Sequence, residues 1–342
     1  MLGTKNVPGF SWKGFIVKSL PKSFRRLLSR WSARPRKVIF LTRNSKNRPW
    51  LRLRHDLVTL TFRPVHGVTE IHHSSRTNDS ESEIAIVVQG PIMHEHDFTA
   101  YTIRQYRRIF PKATIILSTW KGESGLSRFD DLCEVVLSDA SRVPQGYGNL
   151  QMHSSHEGVR KAERIGAKYV LKTRSDQRFG NNFLLQSLLS FHSYFPLANT
   201  SNQVGRLITF SLDTFLYRVY GVSDMMTFGR IEDVRNFWSG DYLDPVNNRA
   251  QPYPEVQYCV NFLHRIGESI EWTTEHYLKV LRERFLVLDA SALGLSWPKY
   301  QSLENRWSGD RGLAHLEQIS FDKWLANKSH SLCVDPEMAT ET

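Results

Sequence analysis

The chain predicts an α/β protein, a mostly parallel sheet flanked by helices with a basic arm ahead of it. Three observations carry this. Apolar, β-rich runs at 84–88, 113–120 and 169–171 each empty into a polar cluster. Helical patterns separate them, and strand–helix–strand order implies parallel pairing with a right-handed crossover. The cationic surplus lies wholly at the front: residues 1–80 hold 17 Lys/Arg against 3 Asp/Glu, and residues 81–342 hold 28 against 31.

Within the arm, Leu20, Phe24, Leu27, Leu28 and Trp31 fall at helical spacing on one face, with Lys22, Arg25, Arg26 and Arg30 on the remainder. That pattern suits an interfacial anchor on anionic lipid. It also suits a helix docked on the following domain with its arginines in solvent. Nucleic acid is not expected as a partner, because no helix-turn-helix, zinc or RNA-binding signature accompanies the charge. The polar run 74–83 reads as a linker. The expected division is therefore an arm and linker over 1–80, an α/β domain over 81–320 and a C-terminal tail over 321–342.

The first strand, Ile84 to Val88, ends in Gln89-Gly90-Pro91. A helix follows with Ile103, Tyr106 and Phe110 on one face and Pro111 as its stop. The second strand, 113–120, carries Ser118, Thr119 and Trp120 at its carboxyl end. Residues 153–167 read as a helix capped by Ser154 and Glu157 and stopped at Gly166. It feeds a third strand, Tyr169 to Leu171, which runs into Lys172, Arg174, Asp176 and Arg178. Ligands of open α/β sheets bind beyond such strand ends, so an aspartate among cations there suits a phosphate or metal-phosphate site. Further on, 182–195 reads as a helix and Leu207 to Leu212 as a strand. A second extended run stops at Ser223-Asp224 and a short helix spans Ile231 to Trp238. Another helix opens with Pro254 and ends at Gly267, and 285–293 contains a late strand.

Four blocks in this order, VVQGPI, RRIFPKATIILSTW, YVLKTRSDQRF and VSDMMTFG, resemble the WavE family of lipopolysaccharide-synthesis proteins over roughly residues 83–300. The resemblance implies a nucleotide-sugar-dependent glycosyltransferase with a GT-A-like fold. It implies a nucleotide-sugar donor, a glycolipid or polysaccharide acceptor, and a divalent cation, manganese or magnesium. One local departure is that Asn149-Leu150-Gln151-Met152 lacks the arginine that the family pattern carries.

Glycosyl transfer needs positive charge for the leaving diphosphate, a polar groove for the nucleotide, and a base for the acceptor hydroxyl in an inverting enzyme. Asp176 is the candidate metal and diphosphate ligand, since magnesium and manganese often take few protein carboxylates and keep phosphate and water as other ligands. An ion pair with Arg174 or Arg178 is the structural alternative. Lys172 and Arg174 are candidate phosphate contacts. Gln89, Gly90 and Pro91 read as a nucleotide-facing loop, and Thr119, Trp120, Asn149 and Gln151 as contacts to base, ribose or sugar. Two acids compete for the base: Asp224 is preferred over Glu255, which opens a helix behind Pro254. His94 and His96 flank Glu95 without an i, i+4 pair and read as solvated loop residues.

Cys133, Cys259 and Cys333 are odd in number and widely spaced, which speaks against a disulfide framework or zinc site and fits a reducing cytoplasm. No apolar run approaches the roughly 18 residues that span a bilayer. A peripheral protein on the inner face of the cytoplasmic membrane is therefore expected. Two other functions compete: a sugar-phosphate nucleotidyltransferase, disfavoured by the absence of a glycine-rich basic first loop, and a non-enzymatic basic scaffold binding membranes or polyanions.

Overall fold

The computed structural model describes residues 79–197, 202–242, 253–297 and 318–328. The arm, its amphipathic segment and Cys333 lie outside the described residues. Seven strands form one sheet: β1 (Ile84–Gln89), β2 (Thr114–Trp120), β3 (Glu134–Ser138), β4 (Tyr169–Arg174), β6 (Leu207–Phe210), β7 (Thr227–Arg230) and β8 (Phe285–Leu288), ordered β3-β2-β1-β4-β7-β6-β8. β7 alone among them runs antiparallel to its neighbours. A separate pair joins β5 (Arg178–Phe179) to β9 (Leu295–Ser296). Central β1 is buried along its whole length, as expected of a strand covered on both faces, and this is why its sequence is apolar from Ile84 to Val88.

The helices are α1 (Phe98–Ile109), α2 (Tyr147–Arg164), α3 (Leu184–Tyr194), α4 (Ile231–Trp238), α5 (Pro254–Arg265), α6 (Thr274–Arg284) and α7 (Phe321–Lys328). The predicted first helix, the Ile231–Trp238 helix and the Pro-initiated α5 are present. Gly166 and Gly267 lie just past α2 and α5 at φ +81° and +79°, in the left-handed region that glycine tolerates.

Three readings need correction, and two elements carry too weak a pattern to have been read. The capping box at Ser154 is not a helix start, since α2 begins two turns earlier behind Gly146 and Ser154 sits buried inside it. Its hydroxyl donates to the Leu150 carbonyl at 2.8 Å and accepts from the Gln89 amide at 2.9 Å. Tertiary contacts thus use a side chain that locally looks like a cap. The extended run ending at Asp224 is not a strand. Asp213 and Tyr220 adopt φ of +72° and +61°, and Arg218 folds back to donate to the Asp213 carbonyl, so the chain turns there before entering β7. The edge strand β3 and the polar helix α6 have weak sequence patterns, the former because it is only partly buried. Finally, Phe321–Lys328 is no tail: it is helical, and Trp324 is buried with its indole donating to the Leu281 carbonyl at 2.9 Å. Among the described residues no helix is long and apolar enough to cross a membrane.

Helix α2 lies against β1 and β2 so closely that a methyl group added at Gly158 would stand 2.4 Å from Val87 Cγ1 and 3.0 Å from Ser118 Cβ. Ser118 Oγ donates to the Ser154 carbonyl at 2.7 Å on the same interface. This contact brings the first turns of α2 over the carboxyl ends of the strands.

Candidate active site

The register places the predicted residues on one edge. Gln89 pairs with Ser118 on one side and with Arg174 on the other, so Gln89, Thr119 and Asp176 share the carboxyl edge of the parallel strands. Because β7 runs the other way, the segment leading into it opens on that edge too, and Asp224 lies three residues ahead of it. Asp213 follows the carboxyl end of β6 by the same distance.

Asp213, Asp224 and Glu255 converge there, each offering a carboxylate oxygen within 4.8 Å of the others. Burial pushes the Asp224 carboxyl up to about 6, with Glu255 adding repulsion and Lys172 opposing it. Burial and the Asp213 carboxylate push Glu255 up to about 7. Lys172 is itself fully buried. Its Nζ donates to the Asp224 carbonyl at 2.8 Å and stands 4.0 Å above the centre of the Trp238 ring. Burial pulls that ammonium down, and Asp224 resists the pull. Gln151 Nε2 donates to Asp224 Oδ2 at 2.9 Å. Arg218 pairs with Asp213 at 3.2 Å, and its guanidinium carbon lies 5.0 Å from the centre of the Phe215 ring and 5.2 Å from that of Tyr253.

Such a donor set suits a hard divalent cation, which takes carboxylate oxygens. The Glu255 Oε2 atom is buried and meets no hydrogen-bond partner among the described residues, which leaves one oxygen of the group open to a cation or a proton. Asp176 differs: Arg174 Nε and Nη2 donate to its two oxygens at 2.9 and 3.1 Å. This is the ion pair that stood as the structural alternative.

Other predicted contacts are engaged within the protein. Gln89 is buried against α2 through Ser154. Gly90, at φ +121°, packs against Ser175, whose hydroxyl donates to the Pro91 carbonyl at 2.6 Å. Thr119 is buried. Asn149 is also buried, and its amide donates to the Gln145 carbonyl at 3.2 Å, bracing the loop before α2. Trp120 stacks on His153, whose Nδ1 lies 2.7 Å from the Tyr242 hydroxyl. His94 and His96 are exposed.

Asp213 and Arg218 escaped the sequence reading. The available signal was an aspartate closing an apolar strand run, the same signal that marks Asp176.

The family model of WavE lipopolysaccharide synthesis matches residues 84–266, more than half of the chain. The chain belongs to the WavE family. All the carboxylates of this WavE site fall inside the matched segment. No curated protein matches the chain. Among solved structures, it is similar to a glycosyltransferase involved in glycosylation of the major capsid of PBCV-1. The two share 15% identity over 55% of this chain and 79% of that one, with a TM-score of 0.33. It is also similar to a putative nucleotide-diphospho-sugar transferase from Desulfovibrio desulfuricans G20, with 12% identity over 72% and 96% of the two chains and a TM-score of 0.35. At these scores the sheet order itself, rather than either neighbour, defines the fold.

Proposed function

We propose that this WavE protein is a nucleotide-sugar glycosyltransferase with a GT-A-like fold that extends a lipopolysaccharide or other lipid-linked glycan. One observation carries the reading. Three carboxylates are gathered at the carboxyl edge of the sheet, next to the buried cation Lys172 and within electrostatic reach of Arg174. An acceptor hydroxyl attacks the anomeric carbon while the bond from that carbon to the diphosphate oxygen breaks. The hydroxyl proton goes to Glu255, and the diphosphate leaves with the electron pair. A carboxyl raised to about 7 is a suitable proton acceptor near neutral pH. Lys172 and Arg174 offset charge on the leaving group. A divalent cation, magnesium or manganese, would be held by Asp213 and Asp224, and when bound it supplies further positive charge to the diphosphate.

Gln151 holds the Asp224 carboxylate, and Arg174 is the candidate phosphate contact in place of Asp176. The base is assigned to Glu255 rather than to the preferred Asp224 because Asp224 is already engaged by Gln151. The cationic excess of residues 1–80 supports reversible attachment to an anionic membrane carrying the acceptor.

The test is a panel of nucleotide sugars, each with and without manganese. Melting temperature and release of nucleoside diphosphate would be followed with lipopolysaccharide core as acceptor. A binder raises the melting temperature by mass action. No stabilisation and no turnover across the panel would sink the reading.

A further inference from the structure

Two tyrosines stand exposed on the helices that carry the carboxylate cluster and its support: Tyr147 is 93% exposed and Tyr253 is 58% exposed. Tyr147 stands one turn before Gln151 on α2, so the two share a helix face. Gln151 is the residue that holds the Asp224 carboxylate. Tyr253 caps α5 two residues before Glu255, and its ring carries the Arg218 guanidinium that pairs with Asp213. The two elements meet directly: the Tyr258 hydroxyl of α5 donates to the Gly148 carbonyl, next to Tyr147, at 2.6 Å.

We infer that Tyr147 and Tyr253 form a platform for a pyranose ring of the glycan acceptor, seating it over Glu255. The chemistry fits a sugar. A pyranose has an apolar C–H face and a rim of hydroxyls, and tyrosine offers an apolar ring with a polar tip and little rotamer freedom to lose. Tyr253 opens the helix that carries Glu255, and Tyr147 shares a helix face with Gln151, which holds Asp224, so both rings stand on the elements that bear the cluster. The nucleotide side of the edge, at the ends of β1 and β2, has Trp120 already stacked on His153.

This inference rests on the glycosyltransferase reading, and its test separates the two. Saturation-transfer NMR would follow deacylated lipopolysaccharide core oligosaccharide on the full chain. The wild type should give clear transfer, Tyr147→Ala and Tyr253→Ala should each lose at least threefold in signal, and Tyr253→Trp should retain it. The exposed Tyr147 ring leaves the melting temperature of Tyr147→Ala near that of the wild type, while Tyr253→Trp, which keeps an aromatic face for Arg218, separates sugar contact from support of Arg218 at position 253. Stabilisation by nucleotide sugars is measured on the same samples and reports the glycosyltransferase reading independently. Undiminished transfer in both alanine variants would overturn the platform, as would absence of transfer to the wild type, whatever the nucleotide result.

Discussion

Lys172 Nζ bonds to the main-chain carbonyl of Asp224 and lies over the Trp238 ring. A fully buried ammonium is thus satisfied by a carbonyl and a π face rather than by direct contact with a carboxylate. The strand that carries Lys172 pairs with β7 beside it, Lys172 with Thr227, so sheet register sets the position of Asp224. Lys172→Met keeps the length of the side chain and removes the charge. Losing the hydrogen bond costs stability, while losing the buried charge removes a desolvation penalty, so net stability should change by about 1 kcal/mol or less. Turnover should fall by about 100-fold, because a preorganised positive charge is lost. Unchanged turnover would remove Lys172 from the donor site.

The raised carboxyls make activity and stability slope in opposite directions with pH. If Glu255 accepts the proton, kcat/KM rises about tenfold per pH unit on the acid side and levels off above about 7. Glu255→Gln should cost about 10²–10⁴ in turnover and abolish that limb. Asp224, Glu255 and Asp233, the last buried in α4 where burial raises its carboxyl, all hold protons more tightly folded than unfolded. Their contribution to stability is therefore full below the unfolded values near 4 and is lost as pH rises through about 6 and 7. Urea unfolding at steps between pH 4 and 7.5 should show it, and stability that climbs across this window would contradict these environments.

The Arg174–Asp176 pair is bidentate, with side chains 25% and 14% exposed. A double-mutant cycle with Arg174→Met and Asp176→Asn should give a coupling of about 1–2 kcal/mol, between the surface and buried limits. Arg174→Met alone should also weaken the stabilisation given by nucleotide sugars. If Asp176→Asn abolishes that stabilisation while leaving the ligand-free melting temperature unchanged, Asp176 ligates the donor and Arg174 merely parks on it in the absence of ligand.

The basic arm gives a separate expectation. Full-length protein should pellet with vesicles rich in anionic lipid and be released as salt rises, since surface attraction is screened over about 10 Å at 0.1 M. Replacing Arg25, Arg26 and Arg30 with glutamate should abolish pelleting. Equal pelleting of both proteins, or binding to neutral vesicles, would assign the arm another role.

The strands were legible where burial is complete, because a run such as Ile84–Val88 can satisfy both faces of a central strand in only one way. Asp176 was legible as a polar residue beyond such a run, whereas Asp224 was singled out behind a run that turns out not to be a strand. Glu255 was legible too, at the start of its helix, but its convergence with Asp213 and Asp224 was not. Glu255 lies 31 residues beyond Asp224 in sequence, and Asp213 looks like part of a strand; only the turn at residues 213–220 brings them together. Gln89 carries a contact that no local pattern reveals, since its amide donates to Ser154 of a neighbouring helix. Ser154 itself, read as a helix start, lies inside that helix.

Gly158 is the clearest feature that no local pattern reveals. It lies inside α2 at ordinary helical geometry, where alanine would be preferred by about 1 kcal/mol in isolation. Yet the space for a methyl group is already filled by Val87 and Ser118, side chains of the two central strands that leave little room to yield. Gly158→Ala should therefore destabilise the fold by about 1–3 kcal/mol, as overpacking does, despite its better helix propensity. The shift would move α2 away from the sheet and with it Gln151, so Asp224 would lose its 2.9 Å contact. Turnover should fall further than the stability change alone explains at a temperature where the variant is fully folded. Gly158→Ala with a melting temperature equal to or above that of the wild type would show that helix and sheet are not in this close contact.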